Sequence, residues 1–555
     1  MNIKGYLLFS FFAISSSLFA QSTYLSQNRN DNYFIDRIEI LNQNNTHLNF
    51  SSIKPYNRKF VLQEADLLDS LYVISNSKVD RYNLMHLNLN NTEWSNQKED
   101  FVESKKSIFN TFYTTKANFF EVKNKDFFLA VNPVLNVQVA KESDYSKQLY
   151  LNSRGITVRG RIAGKIGFSS TIIENQERGP QFYQQEVSNL RAVPGVGFYK
   201  NFKNDASALD YFDGSGYFTF NATKFIDFQM GYDKNFIGNG YRSLFLSDWG
   251  NNYLFVKMNT KIWKFNYQNL FMELMPQFQK SSDALISRKY AAMHHLSIDA
   301  TKWLNVGLFE GVIFGRKDHF DFQYLNPIIF YRHVEGTVGS PDNAVAGLDF
   351  KANVHHRFQF YGQLLLDEFI LSRIKNNPTN WTNKFGFQLG GKYINAFSIK
   401  NLDIQLEVNR VRPFTYSHLD SIANYTHYNQ PLAHPLGANF QELIGIVRYQ
   451  PINKLFIYAR AIYYYQGLDS SGKNFGANIF RDYSVRPSEN GFTLGSGQKA
   501  DCLNLIFNLS YELKHNLYLD GGFQTRTYKT GKISEKSTMI NFGFRLNINR
   551  REYDF

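Results

Sequence analysis

Two hydrophobic periods divide the chain. Between residues 21 and 120, apolar positions recur every three or four residues, and FVLQEADLLDSLYVI places Val61, Leu62, Ala65, Leu68, Leu71 and Tyr72 near one helical face. DNYFIDRIEIL predicts another short helix, and the Asn-rich stretches NQNNT (42–46) and NLNNT (88–92) read as linkers. From about residue 125 the period becomes two. LDIQLEVN alternates Leu402, Ile404, Leu406 and Val408 with Asp403, Gln405, Glu407 and Asn409. LNLIFNLSYELK sets Leu503, Leu505, Phe507, Leu509, Tyr511 and Leu513 against Asn504, Ile506, Asn508, Ser510, Glu512 and Lys514. Successive side chains of a strand point to opposite faces, so each segment has one apolar and one polar side.

About eighteen such segments run from 125–140 to 537–549. Most exceed the usual strand of about five or six residues and match the roughly nine to eleven that a tilted strand needs to cross a bilayer. Their connections alternate in length. Short ones fall at Gly164, Phe225-Ile226, Thr301-Lys302, His355-His356, Pro451-Ile452 and His515; long ones occupy 177–214, 234–251, 277–289, 315–342, 369–383, 413–439 and 467–501. Tight turns at one end and large loops at the other characterise outer-membrane barrels. In lipid every backbone polar group must be paired, so such a sheet must close on itself.

The chain therefore predicts an all-β fold: a transmembrane antiparallel β-barrel of about 18 strands over 121–555, preceded by a small, mostly helical periplasmic module over 21–120. An even strand count brings the module and Phe555 to the same, periplasmic side and puts the long loops at the cell surface. In INFGFRLNI, Ile540, Phe542, Phe544, Leu546 and Ile548 are expected to face lipid, and Asn541, Arg545 and Asn547 a polar lumen. An Arg on the lipid face at mid-depth costs about 2–4 kcal/mol, which fixes the phase. The segment ending in Phe555 resembles the C-terminal signal read by barrel-assembly machinery.

Residues 1–20 carry Lys4, an apolar run from Tyr6 to Ile14 and a small residue at Ala20, the pattern of a cleaved secretory signal peptide. Cys502 is the one cysteine among 555 residues, which excludes a disulfide framework and a Cys-based zinc cluster. Aromatics make up 17% of the chain, with 35 Tyr and 52 Phe, more than a soluble globule needs. The net charge of +13 favours acidic partners, here an anionic or mixed polysaccharide and the lipid of an outer membrane; export argues against nucleic acid.

Catalytic motifs are scarce. HExxH, GxSxG and GxxxxGK[ST] do not occur, and IGNGYRS (237–243) lacks the third glycine of a dinucleotide loop. His294-His295 and His355-His356 are neighbours that a strand sends to opposite faces, a poor geometry for one metal. Ser417, His418 and Asp420 crowd one loop, whereas triad members come from separate elements. No catalytic residue, cofactor or metal is expected. The loop RVRPFTYSHLDSIANYTHYNQPLAHPLGANFQE (410–442) gathers Tyr416, His418, Tyr425, His427, Tyr428 and His434. Such rings can stack on the apolar C–H face of a sugar, or they can fold the loop over the barrel mouth; both uses stay open.

Taken in order, KPYNRK (54–59), GYDKNFIGNGYRSLFLSD (231–248), LFEGVIFGR (308–316), YLNPIIFYR (324–332), GSPDNAVAGLDF (339–350), YGQLLLDEF (361–369), RPFTYSHLD (412–420) and HPLGANFQE (434–442) give the chain its family likeness. It resembles the Wzi-type capsule-assembly barrels and, within them, the RemB-like gliding-motility proteins. The resemblance implies an 18-stranded barrel with a small helical periplasmic module. It also implies a non-enzymatic role in attaching or organising exported polysaccharide, linked in the RemB-like case to adhesion and gliding. Arg412, Tyr416, His418, His434 and Asn439 lie at its matched loop positions and join Tyr425 and His427 as candidate glycan-binding residues. The alternatives are a porin-like channel, since a barrel this wide can leave an aqueous pore unless loops or the module at 21–120 plug it, and a motility role through envelope protein partners.

Overall fold

The computed structural model describes residues 22–26, 30–43, 51–70, 77–96, 102–104, 107–276, 285–327, 330–339, 341–368 and 371–555. The signal-peptide reading of 1–20, and Leu71 and Tyr72 of the predicted helical face, lie outside them. Among the described residues no helix is long and apolar enough to cross a membrane.

Eighteen antiparallel strands close into a barrel. The first nine are β1 (Phe127–Glu142), β2 (Leu149–Ile162), β3 (Ile166–Arg178), β4 (Asp205–Asn221), β5 (Ile226–Asp233), β6 (Tyr253–Ile262), β7 (Phe265–Leu274), β8 (Lys289–Asp299) and β9 (Leu304–Phe314). The second nine are β10 (Asn343–Val354), β11 (Phe358–Glu368), β12 (Lys384–Tyr393), β13 (Leu402–Val411), β14 (Phe440–Ile452), β15 (Leu455–Leu468), β16 (Gln498–Lys514), β17 (Leu517–Thr530) and β18 (Ile533–Leu546). Each pairs with the next, and β18 closes on β1 from Met539↔Glu142 to Leu546↔Leu135. Beyond that seam the short strand Phe120–Lys123 continues the ladder against β1, with Phe120 opposite Val131.

Burial along the strands is inverted relative to a soluble protein. On β13, Leu406 is 58% exposed while its neighbour Glu407 is 1% exposed. On β16, Leu503, Leu505, Phe507, Leu509, Tyr511 and Leu513 are all exposed, and Asn504, Asn508, Ser510 and Glu512 are all buried. Exposed aromatics mark the short turns: Phe225, Trp263, Trp303 and Phe397. An apolar outer band edged with aromatic rings is the surface a bilayer requires.

The helical module does not sit beside the barrel. Helices α1 (Asn30–Asn42), α2 (Arg58–Ser70) and α3 (Lys78–Asn90) share a core of Phe34, Ile38, Val61, Leu62, Ala65 and Leu84. Ser77 caps α3 by accepting from the Asp80 amide. Together they enter the short-turn mouth and pair their charges with the inner wall. Lys351 Nζ stands 2.6 Å from Glu39, Lys392 Nζ 2.7 Å from Asp36, and Arg159 Nε 3.2 Å from Glu93. Buried charges of this kind persist only when paired.

From the opposite mouth the connection 234–252 folds inward and meets the module. Ile53 and Lys54 form a two-residue antiparallel ladder with Ile237 and Phe236. Next to it the amides of Tyr241 and Arg242 donate to the Glu407 carboxylate. That approach needs glycine at 240, where a Cβ would stand 2.5 Å from Glu407 Oε2 and 2.8 Å from Gln388 Oε1.

The end of the chain corrects an expectation. β18 stops at Leu546, and Asn547 takes a positive φ of 54°. Ile548 therefore lines the interior cavity instead of facing lipid, and Asn547 lies beyond the strand, donating to the Pro133 carbonyl. Residues 547–555 then run up the lumen. Arg551 and Tyr553 reach Glu177 near the long-loop end of β3, Asp554 reaches Arg242, and the Phe555 ring packs edge-on to Trp249. The reason is chemical: NINRREYDF carries charges at 550, 551, 552 and 554 that find partners only inside.

Candidate functional site

The long connections gather at the mouth opposite the short turns, where the sequence placed its candidates. The loop 412–439 packs inside this mouth against the inward loop 234–252. Tyr416 and Tyr425 stack with ring centroids 5.3 Å apart, and their hydroxyls donate to the Leu244 carbonyl at 2.8 Å and the Phe245 carbonyl at 2.6 Å. His427 accepts the Met275 amide at Nδ1 and donates from Nε2 to the Asn252 carbonyl; burial pushes its pKa down to about 4, so it is neutral. His434 lies over Phe440 and bonds Glu442 at 2.7 Å. Asn439 donates to the carbonyls of Gly467 and Ser496 and accepts from the Gly495 amide. All five are at most 4% exposed.

Arg412 and His418 are half-buried. Arg412 joins two loops through the carbonyls of Asn383 and Phe492. His418 accepts the Asp420 amide. The structure thus brings Tyr416, Tyr425, His427 and His434 into one packed lining over the inward loop 234–252, and leaves Arg412 and His418 nearer the surface.

A second cluster, which sequence reasoning passed over, stands on the outer side of the same mouth. Trp381, in the connection after β11, packs against Tyr483, in the connection after β15, with centroids 4.6 Å apart and the rings tilted by 36°. The Arg486 guanidinium lies 4.2 Å from the Trp381 ring centroid, and the Lys384 ammonium 4.6 Å from that of Tyr483. Trp381 Nε1 donates to Glu489 at 2.7 Å, and Glu489 pairs with Arg486. The amides of Asn377 and Asn380 both donate to Asn490 Oδ1 at the edge of this platform. Trp381, Tyr483 and Arg486 are half-buried and Asn490 is exposed, so part of the cluster meets solvent. Ring faces rimmed by amides and cations can take the apolar face and the hydroxyl edge of a sugar together. The one signal available from sequence was a tryptophan amid Asn and Thr inside a predicted long loop.

Behind the mouth lies a charged interior. Glu407 accepts from Tyr361, and Glu442 accepts from Asn409 and stands 3.6 Å from Arg242. Glu177 takes three tyrosine hydroxyls, Tyr183, Tyr211 and Tyr553, each at 2.6 Å. Between the module and the final residues a cavity of about 670 Å³ is lined by Arg37, Asp403, Arg448, Arg460, Arg545 and Asp554, among others. Of the two His pairs, His294 contacts Tyr331 and His295 bonds Asp349 at 2.9 Å, on opposite faces of β8.

Fold and mouth define a class: a closed eighteen-strand barrel whose lumen is occupied from both ends. Over almost the whole chain this architecture is similar to that of Wzi from Escherichia coli, described as a carbohydrate-binding β-barrel of the outer membrane involved in group 1 capsule assembly. The TM-score is 0.56 at 13% identity, covering 96% of this chain and 100% of that one. OprD of Pseudomonas aeruginosa (TM-score 0.41, 9% identity, 75% of this chain and 95% of that one) and OccAB2 of Acinetobacter baumannii (0.40, 10%, 75% and 97%) are more distant. No family model matches the chain. No curated protein matches it either.

Proposed function

We propose that the chain is a non-catalytic barrel of a Gram-negative outer membrane that attaches or organises surface polysaccharide at the mouth built by its long connections. The observation that carries this reading is the Trp381–Tyr483–Arg486 platform, set at the end of a lumen that protein enters from both ends. The half-buried Arg486 and the net charge of +13 suit an anionic or mixed polysaccharide. Membrane lipid covers the apolar outer belt, the short turns and the seated module face the periplasm, and the long connections face the cell surface. Arg412 and His418 extend the glycan surface, while Tyr416, Tyr425, His427, His434 and Asn439 hold the loop that supports it. The shared fold with a carbohydrate-binding barrel agrees with this reading. In its finer form the barrel is RemB-like and serves adhesion or gliding motility through envelope protein partners.

The test replaces Trp381 and Arg486 with alanine in cells, confirms an intact barrel by heat-modifiable gel mobility, and measures cell-bound polysaccharide. Retention is expected to fall; unchanged retention rejects the reading. The competing function, a porin-like channel for small solutes, requires a continuous aqueous path past the module, the inward loop 234–252 and residues 547–555.

A further inference from the structure

Where the module meets the barrel rim, three potential metal ligands converge from two parts of the fold. His86 comes from α3 of the module, Glu512 from the end of β16, and His515 from the turn between β16 and β17. One donor atom from each lies within 4.8 Å of the others. His86 Nε2 already stands 3.0 Å from Glu512 Oε1, and the two imidazole rings have centroids 4.3 Å apart. We propose that His86, Glu512 and His515 bind one divalent transition-metal ion, with Zn2+ the best match, and that this ion staples the module to the barrel rim.

The donor set fits. Two imidazoles and a carboxylate are a known zinc set that leaves a fourth position for water, and bonds of about 2.1 Å place tetrahedral donors roughly 3.4 Å apart. The His86–Glu512 pair is near that spacing, and a His515 ring nitrogen lies within 4.8 Å of both. Nitrogen-rich sites of this kind favour zinc, copper or nickel over magnesium or calcium.

The surroundings resemble an outer coordination shell. His86 Nδ1 faces the Asn90 side-chain amide at 3.2 Å and Asp31 Oδ1 at 3.6 Å, polar groups placed behind the imidazole as those of an outer shell are. The Tyr82 hydroxyl donates to Glu512 Oε2 at 2.6 Å, the Asn516 amide to Glu512 Oε1 at 2.9 Å, and His515 Nε2 bonds Asn90 Oδ1 at 2.9 Å. Tyr518 also faces His86, at 3.4 Å. Glu512 is fully buried while the His86 side chain is 12% exposed, so an ion can enter from the short-turn side.

The experiment is calorimetric titration of the full chain, folded in detergent and stripped with chelator, with Zn2+ at pH 7. One-to-one binding is expected, at least tenfold weaker in His515→Gln, which keeps the His86–Glu512 bond. Zn2+ should also slow proteolysis of the module in the parent chain and not in the variant. His515→Asn serves if the first variant loses its heat-modifiable mobility. Lack of saturable one-to-one binding, or equal affinity in the variant, overturns the proposal.

Discussion

Arg37 of α1 grips Asp403 of β13 from 366 residues away, its Nη1 standing 2.7 and 2.8 Å from the two carboxylate oxygens. The same guanidinium places Nε 3.0 Å from Asp80 of α3, so one side chain joins two module helices to the wall. Arg37 and Asp403 are 3% and 6% exposed. Removing one partner of a buried pair strands the other charge, at a cost of about 3–5 kcal/mol. Arg37→Ala should therefore loosen the module and expose residues 77–96 to trypsin. Arg154→Ala, which breaks the exposed Arg154–Glu174 pair, should leave both stability and nicking unchanged.

Residues 547–555 should behave as a removable internal strap. Glu177 anchors them through Tyr553 and Arg551, and Arg460 does so through Glu552 at 2.9 Å. A chain ending at Leu546 should still close β18 on β1, because that seam ends at Leu546. In planar bilayers it should show stepwise conductance. A silent truncated barrel would mean that the module and the loop 234–252 block the lumen unaided.

Docking of the module should depend on pH in a defined direction. His86 has its pKa raised from 6.5 to about 10, so its contribution is complete below 6.5, declines as pH rises and is gone above about 10. Burial works against the Asp36 carboxylate, yet Lys392 and Lys54 lower its pKa from 3.8 to about 2. Its contribution is complete above 3.8 and disappears as pH falls through about 2. Trp94, packed against the module core, reports on this region by fluorescence. With metal removed by chelator, protection of the module from protease should fall more steeply between pH 7 and pH 10 in the parent chain than in His86→Gln, where Lys54, its pKa lowered by burial to about 8, still titrates.

The inverted faces of β13 give a direct test of lipid contact. Leu406→Arg places a charge on the apolar face and should cost about 2–4 kcal/mol if the site is near mid-bilayer. Reversible urea unfolding from vesicles measures this. A change well under 1 kcal/mol would put Leu406 outside the hydrocarbon.

The strands were legible because alternation is local: each residue's face follows from its neighbours, and the alternating loop lengths supplied topology. What escaped were pairings at long range. Nothing periodic joins Arg37 to Asp403, so the sequence left open whether the module plugs the lumen. Ile548 continues the alternation of β18 by residue type, yet the charges that follow it draw the chain inward. GYDKNFIGNGYRS read as a surface loop, whereas Gly240 lets its backbone approach Glu407. At the mouth, aromatic content pointed to the loop 412–439, but rings that seal a lumen and rings that meet solvent have the same composition. Trp381 and Tyr483, from two separate loops, form their platform only once the barrel has closed.

Single-channel recording of the full-length protein in planar bilayers tests the account most directly, since a binding mouth above an occupied lumen and an open pore differ there by their current. The occupied barrel predicts no large steady conductance at either polarity, with current emerging only when residues 547–555 are removed or the Arg37–Asp403 contact is broken. A large, steady conductance from the intact chain would contradict it.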